Sequence, residues 1–446
     1  MTGFAVKFLG CKVSQADAML ARDALLAAGH TEVAEEDAEL HVINTCCITA
    51  EAESKSRQSV RRSLRQAGRV HVAGCAVNLA PGRFAEIDPR VRTFVGTADD
   101  VADGMGEAEG TPDAGGREPG PACADTEHDV LARERRQTRS ATGSERSRAT
   151  SRTRGFVKVQ DGCGSHCAYC IIPTVRGPAR SRPASAVLRE VERRVAGGQP
   201  EMVMTGISVG DYRDPERGLE LGELMVQVAR VPGVERVRLS SVEVIHVKDS
   251  LLRALREEPK LCPHLHVPLQ SGDDRVLAAM GRHYTAGEYL EHIARVHAAT
   301  RGRREVQITA DVIVGFPTED EAAFTRTLDA VEQAGLGRVH VFPYSPRPGT
   351  AAAELGDRVP AEVKKERGRR LRALSEVRSR LHRAAQLGSE LEVLIDKVAP
   401  DRCSGYTPDY TRCYLEGAVA RAGELITVRA RELHADGIAC EPARVG

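Results

Sequence analysis

Six of the twelve cysteines in this 446-residue chain form two groups of three, and their spacing is the feature best suited to chemistry. One group is compact: Cys163, Cys167 and Cys170 fall within eight residues. The other group, Cys11, Cys46 and Cys75, is dispersed over the first part of the chain. A 4Fe–4S cluster that is held by three thiolates keeps one iron open for a substrate or cofactor. Two such triplets therefore predict redox or radical chemistry.

The compact triplet lies in a loop that directly follows a predicted strand, Phe156–Gln160. If that strand opens a β/α barrel, the loop reaches the carboxyl-terminal rim, where the active sites of barrels are built. Gly162 and Gly164 allow the loop to turn tightly and to direct amide N–H groups toward sulfur. The alternative is a structural zinc with His166 as fourth ligand, although the C-x3-C-x2-C spacing is not the usual zinc pattern.

The dispersed triplet shares a position in the fold and has no spacing motif. Cys11, Cys46 and Cys75 each follow the end of a predicted strand. In an open parallel sheet the carboxyl ends of adjacent strands share one crevice, where ligands bind. The three thiols therefore predict a second cluster site. The alternative is that they are core cysteines, because an unbridged cysteine is a common core residue.

The composition limits the class of protein. The length allows two or three domains, and 63 basic residues balance 63 acidic ones, so net charge indicates no partner. No apolar run approaches the roughly 20 residues that span a bilayer, and the amino terminus has no apolar signal core. We expect a cytoplasmic protein with no membrane contact, in which clustered cysteines are ligands or redox groups and not disulfides.

Strand and helix patterns alternate over residues 1–97 and predict a doubly wound parallel α/β sheet. The predicted strands are Phe4–Leu9, Leu40–Asn44, Arg69–Gly74 and Val91–Val95. Helical patterns lie near residues 16–28 and 50–66. Residues 98–153 are charged, rich in Gly, Pro, Ser and Arg, and almost without aliphatic side chains, which predicts a flexible linker.

The alternation returns over residues 154–387 and predicts an open (β/α)6-type partial barrel. The predicted strands are Phe156–Gln160, Met202–Thr205, Val237–Leu239, His264–Val267, Gln307–Val314 and Arg338–Phe342. A long basic helix follows near residues 360–387. Its predicted apolar face consists of Leu371, Leu374, Val377, Leu381 and Ala384. Residues 388–446 show short strands and turns, typical of a small β-barrel.

The segment around the compact triplet, from Val157 through Arg182, resembles the radical S-adenosylmethionine methylthiotransferases. The resemblance implies that Cys163, Cys167 and Cys170 hold a 4Fe–4S cluster whose open iron chelates S-adenosylmethionine. Reduction then splits the cofactor to a 5′-deoxyadenosyl radical. The cofactor-binding residues implied in the same way include Tyr169 against the adenine, Thr205 and Gly206 at the methionine amino group, and Ser240, Glu243 and Gly315 at later strand ends.

The resemblance also assigns the dispersed triplet. Methylthiotransferases carry three cysteines in this arrangement in an N-terminal domain, where a second 4Fe–4S cluster delivers sulfur. Here Cys46 matches the family's Asn-Thr-Cys pattern, and Cys47 is the alternative ligand. The remaining cysteines lack partners at ligand spacing: Cys403, Cys413 and Cys440 are expected to be packing residues, and Cys123 and Cys262 have no assigned role.

The carboxyl-terminal end suggests contact with RNA. The basic helix is either a solvated face or an electrostatic footprint for phosphates. Residues 391–429 resemble the TRAM domain, an RNA-binding barrel that closes this family. The implied partners are a tRNA anticodon stem-loop and an electron donor such as flavodoxin or ferredoxin. The sulfur donor is not identified by the sequence, and we expect a monomer.

The motif Leu9-Gly-Cys11-Lys-Val resembles the branch that acts on N6-threonylcarbamoyladenosine next to the anticodon, although Ser14 replaces an expected Asn. In that reading the radical takes hydrogen from C2 of the adenine, the second cluster supplies sulfur, and a second S-adenosylmethionine supplies the methyl group. The alternatives are the isopentenyladenosine branch, the branch that modifies an aspartate of a ribosomal protein, and an iron–sulfur RNA-binding or sensor protein without catalysis.

Overall fold

The structure is a computed structural model that describes residues 1–107, 153–302 and 305–443. These residues form two compact units, one built from residues 1–47 and 51–107 and the other from residues 153–443. Each unit has its own apolar core. Among the described residues, no helix combines the length and the apolar composition needed to cross a membrane.

The first unit is built on a five-stranded, wholly parallel sheet, which confirms the predicted fold class. The strands are β1 (Gly3–Phe8), β2 (Thr31–Glu32), β3 (Leu40–Thr45), β4 (Arg69–Gly74) and β5 (Val91–Phe94), and their order is β2-β1-β3-β4-β5. The helices are Lys12–Ala27, Ala50–Ser63, Cys75–Leu79, Gly82–Ala85 and Ala98–Glu107, with a short 3-10 helix at Glu35–Asp37. Every residue of β3 is buried, as expected for a central parallel strand covered on both faces.

The predicted boundary between the first domain and the linker is wrong at residue 98. Ala98–Glu107 form a helix whose Val101 and Met105 are buried in the core of the first unit. Val101 and Met105 are one helical turn apart and lie on one face of the helix. Two apolar residues among several Asp and Gly make too weak a pattern to predict a helix from the sequence. The rest of the predicted linker, from residue 108 to residue 152, lies outside the described residues.

The central part of the second unit contains the six predicted strands and one extra two-residue strand. The strands are β6 (Arg154–Asp161), β7 (Arg180–Ser181), β8 (Glu201–Gly206), β9 (Arg236–Leu239), β10 (His264–His266), β11 (Gln307–Val314) and β12 (Arg338–Pro343). They form two sheets, β7-β6-β8-β9 and β10-β11-β12, which a parallel bridge between Val237 and Leu261 connects. All pairs are parallel except β6–β7, and the six long strands form the expected partial barrel.

Helices cover the outer face of these sheets, and the inner face is largely polar. The helices are Ile172–Arg176, Ala184–Ala196, Leu221–Ala229, Asp249–Glu257, Asp274–Ala279, Ala286–Ala299, Glu321–Gln333 and Ala351–Glu354, with 3-10 helices at Val209–Asp211 and Val244–His246. Alternate strand residues such as Met204 and Leu239 enter the main core. Because successive side chains point to opposite faces, Thr205, Arg238 and Ser240 lie on the inner face.

The long basic helix spans Ala361–Ala384, and its predicted apolar face is wrong in part. Leu371 is buried, but Val377 and Leu381 are 57% and 58% exposed. The contact face is instead formed by Lys364, Gly368, Leu371 and Ser375. Buried cations are acceptable there because acidic groups neutralise them: Lys364 pairs with Asp357, Arg367 with Glu319, and Arg383 with Glu376.

The carboxyl-terminal segment is a closed five-stranded β-barrel, as predicted. Its strands are β13 (Glu390–Val398), β14 (Arg402–Tyr406), β15 (Arg412–Glu416), β16 (Leu425–His434) and β17 (Gly437–Pro442), in the order β13-β14-β15-β17-β16. Cys403, Cys413 and Cys440 are buried in its interior beside Val393 and Ile395, which confirms that they are packing residues.

Candidate active site

The compact cysteine triplet lies in a loop that leaves the carboxyl end of β6. Gly162 has a φ of +68°, and a side chain there would collide with the carbonyl oxygen of Pro178, so only glycine fits. The amide of Cys163 donates to the carbonyl of Gly177 at 3.1 Å. The start of the loop is therefore fixed against the residues that follow it. Gly162 makes the tight turn, whereas a side chain at Gly164 would have nothing within 4 Å.

Two further backbone hydrogen bonds fix the middle of the loop. The amide of Ala168 donates to the carbonyl of Met280 at 2.9 Å, and the carbonyl of Ala168 accepts from the amide of Ala352 at 2.7 Å. Tyr169 packs beside the same residues, against a buried cluster that includes Phe316 and Tyr344. Burial raises the pKa of the Tyr169 phenol well above its ordinary value, so the ring acts as a neutral aromatic surface.

The three thiols of the loop are partly exposed and are not in disulfides. Burial raises the pKa of Cys163, and it raises that of Cys170 to about 11. Cys163 and Cys170 therefore hold their protons at neutral pH unless a metal replaces them. The amide of Ser165 donates to the sulfur of Cys163 at 3.3 Å, the kind of contact that stabilises a cluster ligand.

Arg282 is a site residue that the sequence analysis missed. It is buried, and its Nη1 donates to the sulfur of Cys167 at 3.3 Å and to Oε1 of Glu243 at 3.1 Å. Its Nη2 has no hydrogen-bond partner among the described residues. A guanidinium N–H beside a sulfur can donate a charge-assisted hydrogen bond to it. Arg282 belongs to no motif, and only the fold brings it to Cys167, 115 positions away.

Two of the predicted cofactor contacts are buried hydroxyls at strand ends. Thr205, in β8, and Ser240, just after β9, are 1% and 5% exposed. Neither Thr205 Oγ1 nor Ser240 Oγ has a hydrogen-bond partner in the described part of the chain. Leaving a buried hydroxyl unpaired costs about 1–3 kcal/mol. These hydroxyls therefore fit a polar ligand such as S-adenosylmethionine, as does the open Nη2 of Arg282.

Gly206 and Gly315, the two glycines predicted to contact the cofactor, have no free space on the side where a side chain would lie. A side chain on Gly206 would lie 2.9 Å from the carbonyl oxygen of Gln160. A side chain on Gly315, whose φ is +73°, would collide with Lys364. The amide of Gly315 donates to Glu319 at 2.7 Å. Any contact of these glycines with a cofactor must therefore use the remaining backbone groups.

The dispersed triplet follows three neighbouring strands of the first unit. Cys46 and Cys75 directly follow β3 and β4, and Cys11 comes three residues after β1. The order β1-β3-β4 places these ends side by side. Cys11 is exposed, whereas Cys46, Cys47 and Cys75 are buried.

The turn after β1, which contains Gly10, packs closely against Cys46. Gly10 has a φ of +113°, and a side chain there would lie 2.8 Å from Cβ and 3.0 Å from Sγ of Cys46. Asn44, near the end of β3, donates to the carbonyl of Ser14 at 3.0 Å. The structure thus brings the segment around Cys11 against Cys46.

In residues 1–107, 153–302 and 305–443, no three His, Cys, Asp or Glu side chains are grouped as ligands of a single metal ion. A 4Fe–4S cluster is a different case, because each thiolate binds its own iron atom. The donor set of each triplet, three cysteine sulfurs, is the one that such a cluster uses.

Comparisons with known proteins identify the family of the chain. Residues 157–331 match the radical SAM superfamily, and residues 3–96 match an uncharacterized protein family, UPF0004. The fold is similar to that of the radical S-adenosylmethionine methyltransferase TsrM from Kitasatospora setae, with a TM-score of 0.54 and 15% identity over 78% of this chain and 77% of that one.

Curated relatives match over nearly the whole chain. The threonylcarbamoyladenosine tRNA methylthiotransferase MtaB of Thermotoga maritima is 32% identical over 437 residues, 97% of this chain and 95% of that protein. The protein of the same name from Bacillus subtilis is 33% identical, over 96% and 94%. The tRNA-2-methylthio-N(6)-dimethylallyladenosine synthase of Cereibacter sphaeroides is 35% identical, over 95% and 94%. With its cysteine loop on a partial barrel, the chain belongs to the radical S-adenosylmethionine methylthiotransferases.

Proposed function

We propose that this protein adds a methylthio group at C2 of N6-threonylcarbamoyladenosine in tRNA, next to the anticodon. The observation that carries the proposal is the nearly full-length similarity to relatives named threonylcarbamoyladenosine tRNA methylthiotransferases, from three different bacteria. The motif Leu9-Gly-Cys11-Lys-Val supports the same branch.

In this proposal Cys163, Cys167 and Cys170 hold one 4Fe–4S cluster, to which S-adenosylmethionine binds. When bound, the cluster and S-adenosylmethionine together would supply a carbon radical. Such a radical can remove hydrogen from an unactivated carbon, which acid–base chemistry cannot do. The hydroxyls of Thr205 and Ser240 are expected to donate to or accept from the cofactor, since both are buried without a partner among the described residues.

The chain's own residues prepare this site before any ligand binds. Arg282 donates to the sulfur of Cys167 and holds Glu243 in place through the same nitrogen. The hydrogen bonds of Ala168 to Met280 and Ala352 fix the loop in one position. A site whose parts are fixed in advance avoids the entropy cost of ordering them during the reaction.

Cys11, Cys46 and Cys75 are proposed to hold a second 4Fe–4S cluster, the site of sulfur delivery. The support is their position after three adjacent parallel strands, where an open sheet binds its ligands. Cys47 is buried beside Cys46 and is the alternative ligand.

We infer that the carboxyl-terminal barrel and the long helix bind tRNA. Five lysine and arginine side chains of this helix pair with carboxylates, which leaves fewer positive charges available to contact phosphates. Lys365, Arg372 and Arg380 have no acidic partner among the described residues and are the phosphate contacts that we propose. The protein would act as a cytoplasmic monomer and receive electrons from a flavodoxin or ferredoxin.

Mass spectrometry of tRNA nucleosides from cells with and without the gene tests the proposal. We expect loss of 2-methylthio-N6-threonylcarbamoyladenosine, accumulation of its unthiolated precursor, and restoration by the wild-type gene but not by Cys163→Ala. The 35% identity to the dimethylallyladenosine synthase favours a second candidate, the isopentenyladenosine branch. Loss of the isopentenyl analogue would assign that branch, and an unchanged tRNA profile would direct the search to ribosomal proteins.

A further inference from the structure

The inner face of the second sheet of the partial barrel carries polar side chains that the proposed cofactor site does not use. Leu265, Ile308, Ala310, Val312 and Val339 of this sheet enter the outer core. The residues between them therefore face inward. The strand register places His266 beside Thr309, and Asp311 beside His340.

His266 is held through both of its ring nitrogens. Nδ1 lies 2.9 Å from Oγ1 of Thr309, and Nε2 lies 3.1 Å from Oδ1 of Asp311. Because a carboxylate oxygen only accepts hydrogen bonds, this arrangement favours a proton on Nε2. Thr309 then donates to Nδ1, and the orientation of the ring is fixed.

The same row continues to the other end of the sheet. Oγ1 of Thr309 lies 3.2 Å from Nε2 of His264, whose ring meets that of Tyr410 edge to face at 4.8 Å. Tyr410 has a φ of +67°. Its ring lies under the guanidinium of Arg238, and the Cζ atom of Arg238 is 3.7 Å from the centre of the ring. A turn of the carboxyl-terminal barrel therefore supports one end of the row. Asp311 lies at the other end, beside the exposed His340, whose ring is 5.5 Å from that of His266.

Asp311 is the member of the row that a ligand can reach. Its side chain is 30% exposed, whereas that of His266 is 12% exposed. Oδ1 of its carboxylate faces His266. A carboxylate whose first oxygen is held in this way can direct its second oxygen, an acceptor, to an N–H or O–H donor.

The two sheets of the partial barrel would then bind different ligands, the cofactor at the first sheet and the substrate at the second. Thr205 and Ser240, proposed to contact S-adenosylmethionine, belong to the first sheet and its end, whereas Asp311 belongs to the second. The target base of the proposed reaction has one donor on its exocyclic nitrogen, the N6–H. We propose that Asp311 binds the target adenine by accepting a hydrogen bond from this N6–H, and that His266 is the positioning residue. This inference rests on the proposed function.

The experiment uses the full chain, reconstituted with iron and sulfide without oxygen and supplied with S-adenosylmethionine and a chemical reductant. Its substrates are two anticodon stem-loops, one with N6-threonylcarbamoyladenosine and one with the same nucleoside methylated on N6, which lacks the N–H. We expect the wild-type KM to be about 10- to 100-fold higher for the methylated RNA, as for the loss of a hydrogen bond to a charged group. This arm needs no variant and cannot fail through misfolding.

Variants locate the effect. Asp311→Asn should raise the KM for the unmethylated RNA by a similar factor and should then discriminate little between the two RNAs. His266→Gln keeps a donor and should lose less than His266→Leu. Asp329→Asn is the matched control, since its carboxylate is exposed on the helix Glu321–Gln333.

Each contrary outcome has its own meaning. If the wild type modifies neither RNA, the proposed function fails and this inference fails with it. If it modifies both equally well, the inference alone fails. If Asp311→Asn lowers the cleavage of S-adenosylmethionine in the absence of RNA as much as it lowers RNA modification, Asp311 belongs to the cofactor site and the inference is overturned.

Discussion

A buried cation beside a proposed cluster cysteine, Cys167, is the clearest property of the site at the scale of single residues. Arg282 bridges the sulfur of Cys167 and the carboxylate of Glu243 with one nitrogen. Hydrogen bonds from a charged donor are roughly twice as strong as neutral ones. Removing the guanidinium would remove the hydrogen bond to the sulfur and the one to the carboxylate together.

We therefore expect Arg282→Met to weaken retention of the first cluster by about 10- to 100-fold, the effect of losing a charge-assisted hydrogen bond. Arg282→Lys should lose less, because it keeps a charge but not the fork geometry. The measurement is the chelator concentration that removes half of the iron. Arg253→Met, at an exposed position, is the control. Equal retention in the Met variants would contradict the role assigned to Arg282.

At the scale of elements, the strand ends of the first unit decide where Cys46 lies. Gly10 and Gly29 both have positive φ values, +113° and +87°, so alanine is strained at both positions. Only at Gly10 is the space also occupied, by Cβ and Sγ of Cys46, whereas nothing lies within 4 Å of a side chain at Gly29.

Gly10→Ala should therefore displace Cys46 and remove the second cluster while leaving the first, so that bound iron falls by about half, since each cluster contains the same number of irons. Gly29→Ala has the same backbone strain and should keep its iron. Iron analysis of both purified variants, together with the cleavage of S-adenosylmethionine, makes the comparison. A full iron content in Gly10→Ala would rule out this packing as a determinant of the site.

The elements themselves were largely predictable. The six barrel strands and the four main strands of the first unit follow from runs of apolar residues bounded by turns. The long helix is an exception, because tertiary contacts override its local pattern. Lys364 and Arg367 are buried in ion pairs with acidic residues. Val377 and Leu381, which the pattern places on the apolar face, are exposed. Arg282 and Asp311 could not be predicted, because only the fold gives them their partners.

At the scale of the whole molecule, two buried arginines of the partial barrel, Arg236 and Arg238, join it to the carboxyl-terminal barrel through hydrogen bonds. Arg238 pairs with Glu201 at 2.9 Å and also donates to the carbonyls of Pro408 and Thr407 at 2.6 and 3.2 Å. Arg236 donates to Glu392 and to the carbonyl of Tyr406. The two barrels should therefore unfold in one cooperative transition.

Glu201→Gln should destabilise this unit by about 3–5 kcal/mol, the cost of breaking a buried pair. Burial alone would raise the pKa of Glu201, but Arg238 outweighs it and holds the pKa below its ordinary value of 4.5. Because the folded-state pKa is depressed, the stabilisation is complete above pH 4.5 and is lost as the pH falls below that value.

The free energy of unfolding, measured with urea from pH 7 down to pH 3, should show the gap between wild type and Glu201→Gln closing at acid pH. Glu235→Gln, at an exposed position of the same barrel, should follow the wild type throughout. A gap that stays constant with pH would show that the charge of Glu201 is not what stabilises the joint.

The joint between the barrels has an evolutionary consequence. Arg238 recognises main-chain carbonyls of Thr407 and Pro408, which every amino acid carries, and not their side chains. Apart from Tyr410, whose ring lies under the Arg238 guanidinium, the turn can therefore change its sequence as long as it keeps its shape. Chimeras that exchange carboxyl-terminal barrels between distant relatives should remain folded when Arg236, Arg238 and Tyr410 are retained, even where the rest of the turn shares no identical residue.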